Sequence, residues 1–341
     1  MDLNEYLKIT QKVVGKKQVC IGNQVEVERF KLESPSINHL LGGGVPHGTI
    51  IEIFGPEQTT KSLLAMYIAA QLQKQTDKFV AYVQASEFGY TTAHAINIGL
   101  DPNKVLLVDA TSAEDGLECT RSYLEPDFCA VIIDSIAGLV PKKLTDESKQ
   151  VGEVFVMGIR ARLLSENLPQ FSVKCKMNNV VLILINQVRN TNLSGYGNPE
   201  GSMGGKGLPY WASIRLMTSK KALKSPDEDG ITNFDVQIKC IKSKYGKALR
   251  SIDMQVDLKK DDNDKTITNT MYNEYIDVIR MAKHQDVDLV KQAGSWVTLS
   301  LPNLSSDELI KVQGEANLEA KLRSEPELFI ALRDAVNTAL I

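Results

Sequence analysis

Short apolar runs recur along the first two thirds of the chain, separated by stretches whose apolar residues fall at helical spacing. Thr49-Ile50-Ile51-Glu52-Ile53-Phe54, Phe79-Val80-Ala81-Tyr82-Val83, Val105-Leu106-Leu107-Val108, Ala130-Val131-Ile132-Ile133-Asp134-Ser135 and Val180-Val181-Leu182-Ile183-Leu184-Ile185 are nearly continuous in apolar side chains. That is the pattern of strands buried on both faces. Between them, the segment from Ser62 through Ala70, Thr91 to Gly99, Glu114 to Tyr123 and about Val154 to Leu168 read as helices. The alternation predicts an α/β fold with a mostly parallel central sheet covered by helices. Ile214 to Thr218 and Phe234 to Ile241 alternate more strictly, as strands at a sheet margin do.

The texture changes beyond about residue 270. Tyr275 to Ile279, Val287 to Val290 and Trp296 to Leu299 are short elements, and a closing helix carries Leu328, Phe329, Leu332, Val336 and Leu340. We expect a small, helical C-terminal domain over 271–341 and a core over 31–270. Residues 1–30 form an amphipathic leader, including Gln24-Val25-Glu26-Val27-Glu28, that must pack on something else. Gly42-Gly43-Gly44 and Val45-Pro46-His47-Gly48 make the turn into the first core strand.

Composition narrows the class. The chain has 341 residues, 43% apolar and 24% charged, which suits a folded soluble protein. It holds no apolar run long enough to span a bilayer, and Met1 to Tyr6 lack the basic start of a secretory signal. The five cysteines are scattered without a C-x-x-C pair, as expected of reduced thiols in a cytosolic protein. The net charge of −3 gives the whole chain no basic character. From Lys206 to Arg250, however, basic residues outnumber acidic ones, which suits a polyanion or simply a solvated surface.

The chemistry centres on Gly55-Pro56-Glu57-Gln58-Thr59-Thr60-Lys61-Ser62, placed between a strand and a helix. A phosphate-binding loop needs that context, so that backbone N–H groups and a helix N-terminus face an anion. Lys61 would act as a point charge on terminal phosphates, and Ser62 would offer its hydroxyl to magnesium. The usual pattern has glycine where this chain has Thr60. A β-branched residue there is expected to take an ordinary right-handed conformation. The octapeptide alone also fits a plain strand-to-helix turn.

Asp134, at a strand exit, would orient magnesium or its water; a helix-capping role is the alternative. Glu87 would accept a proton from attacking water, and Gln187 would sense a terminal phosphate, although strand-end carboxylates and capping amides are common. The glycine-rich stretch from Arg189 to Lys206 begins beside Gln187 and reads as a binding arm or a disordered loop.

These phrases occur in a telling order: Gly55-Pro56-Glu57 with Lys61-Ser62, Ile133-Asp134-Ser135-Ile136-Ala137, and Ile185-Asn186-Gln187-Val188-Arg189. They are followed by Gly197-Asn198-Pro199-Glu200 with Gly204-Gly205, and by Ile238-Lys239-Cys240-Ile241-Lys242-Ser243-Lys244. The set resembles the RecA recombinases from about Ser34 to Leu340, including the tail fragments Lys291 to Trp296 and Gly314 to Asn317. Ser86-Glu87-Phe88-Gly89 and the missing loop glycine look more like phage-encoded relatives.

The resemblance implies a RecA-type P-loop ATPase core and an ATP- and Mg2+-dependent recombinase. Such a protein forms a filament on single-stranded DNA and exchanges strands with homologous duplex. It implies Glu87, Lys61 and Gln187 as catalytic residues and Ser62 with Asp134 at the metal. Lys242 and Lys244 would reach the triphosphate of the neighbouring protomer. The first DNA loop would lie near Thr145 to Gly158, with Met157, Gly158 and Arg162 as contacts. The second would be Asn190 to Lys206, with Arg189, Gly204, Gly205 and Lys206. Pro169 and Lys206 depart from the family pattern. Residues 1–30 would pack on the adjacent subunit, and single-strand-binding and loader proteins are possible partners in a bacterial or phage-infected cytoplasm. A ring-forming helicase-type ATPase and a nonenzymatic filament mediator are the alternatives.

Overall fold

The computed structural model describes residues 2–15, 19–24, 26–85, 89–145, 153–190, 200–202, 205, 207–223, 233–246, 248–261, 264–302 and 309–340. The chain opens with α1 (Leu3–Val14), started by a capping box in which Asp2 and Glu5 bond each other's backbone N–H. Strands β1 (Arg29–Phe30) and β2 (Val45–Pro46) pair antiparallel around α2 (Pro35–Leu41). Ser34 caps that helix, and Gly42 ends it at a φ of 73°.

The core then alternates: β3 (Ile50–Gly55), α3 (Lys61–Thr76), β4 (Phe79–Ala85), α4 (Thr92–Ile98), β5 (Val105–Ala110), α5 (Ala113–Tyr123) and β6 (Phe128–Asp134). There follow α6 (Lys142–Thr145), α7 (Glu153–Asn178), β7 (Val181–Asn190), β8 (Glu200–Ser202), α8 (Gly207–Trp211), β9 (Ile214–Leu223), β10 (Phe234–Ser243), β11 (Ser251–Asp261) and β12 (Asp264–Tyr272).

Among the described residues ten strands form the central sheet, in the order β12-β11-β10-β9-β3-β7-β6-β4-β5, with β8 paired to β7. Neighbours from β9 to β5 are parallel, whereas β9, β10, β11 and β12 run antiparallel in succession. The sheet is therefore mixed, extended at one side by a meander that the mostly parallel expectation understates. β11 and β12 went unassigned in the sequence. In β11 only every second residue, Ile252, Met254 and Val256, is apolar and buried, and β12 is rich in threonine.

Successive side chains of the central strands enter two cores. Ile51, Ile53, Tyr82, Ile132, Ile183 and Ile185 pack with Leu64, Met66 and Ile68 of α3. Ile50, Val83, Val131, Ile133, Leu182 and Leu184 pack with Leu117 of α5 and Leu164, Leu168, Phe171 and Cys175 of α7. That last stripe explains why α7 continues ten residues beyond the expected end at Leu168. Pro169 removes one backbone donor, but buried residues on both sides of it hold the helix to the sheet.

The C-terminal part is α9 (Glu274–Ala282), β13 (Val290–Ala293), β14 (Trp296–Leu299), β15 (Ile310–Gln313), α10 (Glu315–Ser324) and α11 (Pro326–Ala339). A three-stranded antiparallel sheet lies among its helices, so it is mixed rather than helical as expected. Ile279, Val297, Leu299, Leu318, Leu332 and Val336 form its own apolar cluster. It is tied to the core by Ser34 Oγ donating to Asp277 Oδ2 at 2.6 Å and by Asn38 Nδ2 donating to Asn337 Oδ1 at 3.0 Å.

Burial pushes the Asp277 carboxyl above its usual range, and hydrogen bonds from Ser34 and Ser36 only partly offset that. A carboxyl whose folded pKa is raised destabilises the native state above that pKa, and the cost fades as the pH falls toward the unfolded value. Asp277→Asn is expected to raise the unfolding free energy at pH 8, with a gain that shrinks toward pH 4. Urea denaturation at both pH values checks this, and equal effects would reject it.

Candidate functional site

The loop between β3 and α3 is set by a close approach. A Cβ at Gly55 would lie 2.3 Å from the carbonyl oxygen of Thr218 in β9, so only glycine lets the strands meet there. The Thr59 hydroxyl donates to the Pro56 carbonyl at 2.8 Å and lies 2.7 Å from the Thr218 hydroxyl. Pro56, Glu57 and Gln58 are exposed, while Thr59 is buried.

Thr60 corrects the sequence expectation. It takes a left-handed conformation, φ 62° and ψ 27°, at the N-cap of α3, and Gln58 has a φ of 57°. The turn keeps the geometry that glycine would supply. The bonds of Thr59 hold it in place, and the Thr60 hydroxyl lies 3.4 Å from that of buried Tyr272.

Helix α3 starts immediately after this turn and puts Lys61 and Ser62 at the carboxyl ends of the strands. Lys61 Nζ donates to the Pro56 carbonyl at 2.6 Å. Ser62 Oγ donates to Asp134 Oδ2 at 2.6 Å, and Tyr82 donates its hydroxyl to the same oxygen at 2.6 Å. Burial, followed by the Asp134 charge, pushes the Tyr82 phenol far above its ordinary pKa, so it remains a donor. Glu57, Thr60, Lys61, Ser62, His94, Asp134, Gln187 and Lys220 line one cleft of about 950 Å³. A larger groove of about 1160 Å³, lined by Leu289, Leu301, Ala331 and Ala335, lies in the C-terminal part. It brings together no comparable set of cation, hydroxyl and carboxylate, so the cleft at Lys61 is the candidate site.

Lys242 is not in this cleft. Its Nζ donates to the carbonyls of Pro209, Tyr210 and Ala212 at 2.7, 3.0 and 2.8 Å, at the C-terminal end of α8. Burial lowers its pKa, and Lys244 and Arg215 add repulsion. Lys244 is exposed.

The expected DNA contacts meet in part. Gly158 and Arg162 are on α7, where exposed Arg162 bonds Glu166 Oε1 at 2.8 Å. Gly205, at a φ of 72°, approaches the same helix, and a Cβ there would lie 3.0 Å from that of Ala161. Arg189 pairs with Gly201 across β7 and β8. Met157 lies within α7. Glu87, Gly204 and Lys206 fall outside the described residues.

Sequence reasoning missed Tyr82, which looks like any strand aromatic, and Lys220 as a cation of this cleft. It also missed buried Glu52 and Asn186 with half-buried Arg215. There a signal existed, since Glu52 is the one charged residue in an apolar strand.

A loop between the first core strand and its helix, facing a carboxylate from β6 in a mixed sheet, defines an α/β core of the RecA type. The family profile described as the RecA N-terminal domain matches residues 1–261. Protein RecA of Streptococcus pneumoniae strains Hungary19A-6 and ATCC BAA-255 / R6 is similar, at 30% identity over 339 residues. Each alignment spans 96% of this chain and 80% of the relative. The chain belongs to the RecA family. At family level that carries recombinase and ATPase function, DNA binding and oligomerisation. Among the described residues no helix is long and apolar enough to cross a membrane.

Thr60→Gly is expected to stabilise the fold by about 1 kcal/mol, the relief of a left-handed β-branched residue less glycine's greater chain entropy. A lower denaturation midpoint would contradict this. Tyr82→Phe, which leaves Asp134 with one of its two hydroxyl donors, is expected to cost about 1.5–3 kcal/mol in a urea titration.

Proposed function

We propose that this chain is an ATP-dependent recombinase that forms a filament on single-stranded DNA and exchanges strands with homologous duplex. One observation carries the reading. Strand β7 brings Gln187 into the cleft and two residues later holds Arg189 in the hairpin with β8, so nucleotide site and second DNA loop share one strand. Gly205 then returns beside Ala161, next to Arg162 of the first DNA segment.

The donor set suits magnesium with a triphosphate. Ser62 and Asp134 offer hard oxygen ligands, and the described residues hold no cluster of three His, Cys, Asp or Glu able to bind a metal alone. Phosphate oxygens would complete such a site. Bound magnesium would neutralise phosphate charge. Lys61 would leave the Pro56 carbonyl for the terminal phosphates, Asp134 would orient the Ser62 hydroxyl, Glu87 would position water, and Gln187 would report phosphate to the DNA loop.

Assembly has its own support. Leu3 (64% exposed), Tyr6 (57%), Ile9 (48%) and Val13 (80%) leave the apolar side of α1 uncovered in the single chain. A neighbouring subunit would bury it, with Lys242 and Lys244 reaching that neighbour's nucleotide. Ser86 to Gly89 and Thr60 favour a phage-encoded member.

Electron microscopy with single-stranded DNA is expected to show extended helical filaments with ATP and none, or compact ones, without it. Rings or unassembled particles in both samples would reject the reading. Lys61→Ala should lower DNA-stimulated hydrolysis at least about 100-fold, while Lys242→Ala should damage activity mainly in assembled protein.

A further inference from the structure

Glu52 is fully buried in β3 between Ile50, Ile51, Ile53 and Phe54, and nothing in the cleft uses it. A carboxylate removed from water needs close partners, and those of Glu52 point in two directions. Its Oε1 accepts from Asn186 Nδ2 at 3.0 Å, and its Oε2 accepts from Arg215 Nε. Asn186 Oδ1 in turn accepts the backbone N–H of Gln187 at 2.9 Å. The Arg215 guanidinium lies over the Phe54 ring, 4.6 Å from its centre, directly before Gly55.

The row continues into β10. Lys242 stands in register with Arg215, and the pairing shifts between Cys240 and Lys242. A bulge re-aims side chains, and this one turns Lys242 away from the core that holds Cys240, onto the carbonyls at the end of α8. Asn186, Glu52, Arg215 and Lys242 thus form one polar row across β7, β3, β9 and β10, beneath the loop. One end adjoins Gln187 in the cleft, and the other is the lysine outside it.

Adhesion between strands does not need this. Apolar residues of equal volume hold a sheet at least as well as a buried ion pair. What the row adds is fixed orientation, because Glu52 and Asn186 are buried with their polar atoms bonded and so admit few arrangements, while Lys242 is held by three carbonyls. Glu52 supplies the negative charge that lets the cations Arg215 and Lys242 lie on adjacent strands.

We infer that Glu52 is a positioning residue that fixes the Gln187 main chain through Asn186 and Lys242 through Arg215. Occupancy of one protomer's cleft and the reach of Lys242 to the next protomer's nucleotide therefore shift together. This rests on the proposed recombinase function. Gln187 moving toward a phosphate displaces the Asn186 amide, frees a lone pair on Glu52, and redistributes the carboxylate's bonding toward Arg215. Lys242 registers the change across a single strand pair.

The test uses the full chain with poly(dT). Steady-state hydrolysis is followed against ATP concentration, and binding of the nonhydrolysable analogue AMP-PNP with magnesium is measured on DNA-free protein. In Glu52→Gln the Hill coefficient is expected to fall toward one and half-maximal ATP to rise at least about fivefold, with AMP-PNP affinity unchanged. If that variant fails to fold, Asn186→Ser, which spares the Glu52–Arg215 pair, carries the same expectation. A purely structural role would lower the melting temperature and leave the Hill coefficient at the wild-type value, and that result overturns the inference. Wild-type protein is imaged on poly(dT) in parallel. Filaments in wild type with unaltered cooperativity in the variants sink only this inference, whereas no nucleotide-dependent assembly in wild type sinks the recombinase reading beneath it.

Discussion

At Gly55 the backbone of β3 passes so close to β9 that the Thr218 carbonyl occupies the space a side chain would need. The place of the loop in the cleft follows from that contact. It seats the loop against the Thr218 hydroxyl through Thr59, fixes where α3 begins, and so decides where Lys61 and Ser62 lie relative to Asp134. The helix N-terminus, with its unsatisfied N–H groups, is thereby held over the carboxyl ends of the parallel strands.

Charge is handled differently on the two faces of the sheet. On the α3 face, Lys61 rests on a loop carbonyl, and Asp134 gathers two hydroxyl donors on a single oxygen. On the α7 face, Glu52 and Asn186 are buried among apolar residues and bonded to each other and to half-buried Arg215, so one partner cannot move without the next. The first group is suited to bind and the second to hold geometry.

Much of this was legible in the chain itself. Five apolar runs marked five of the six parallel strands, although β5 lies at the sheet edge with Leu106 and Leu107 exposed. The Lys61-Ser62 pair with Asp134 marked the cleft, because parallel strands and phosphate-type loops impose strong local patterns. The meander of β11 and β12 was not legible, since its alternation is diluted by polar and threonine-rich positions that only neighbouring strands make sense of. Helix α7 outran its proline for a similar reason. Local propensity favours a stop there, and packing of Phe171 and Cys175 on the sheet outweighs it.

The sequence by itself determined the α/β class, the family and most residues of the cleft, because each rests on residues adjacent in the chain or on a period of two or 3.6. Only the tertiary structure decided that Thr60 is left-handed, that Tyr82 bonds Asp134, and that Lys242 lies with Arg215 and Glu52 rather than with Lys61. Those outcomes depend on strand order, on one bulge and on which residue from a distant segment fills a given space. None of these leaves a mark on neighbouring positions along the chain.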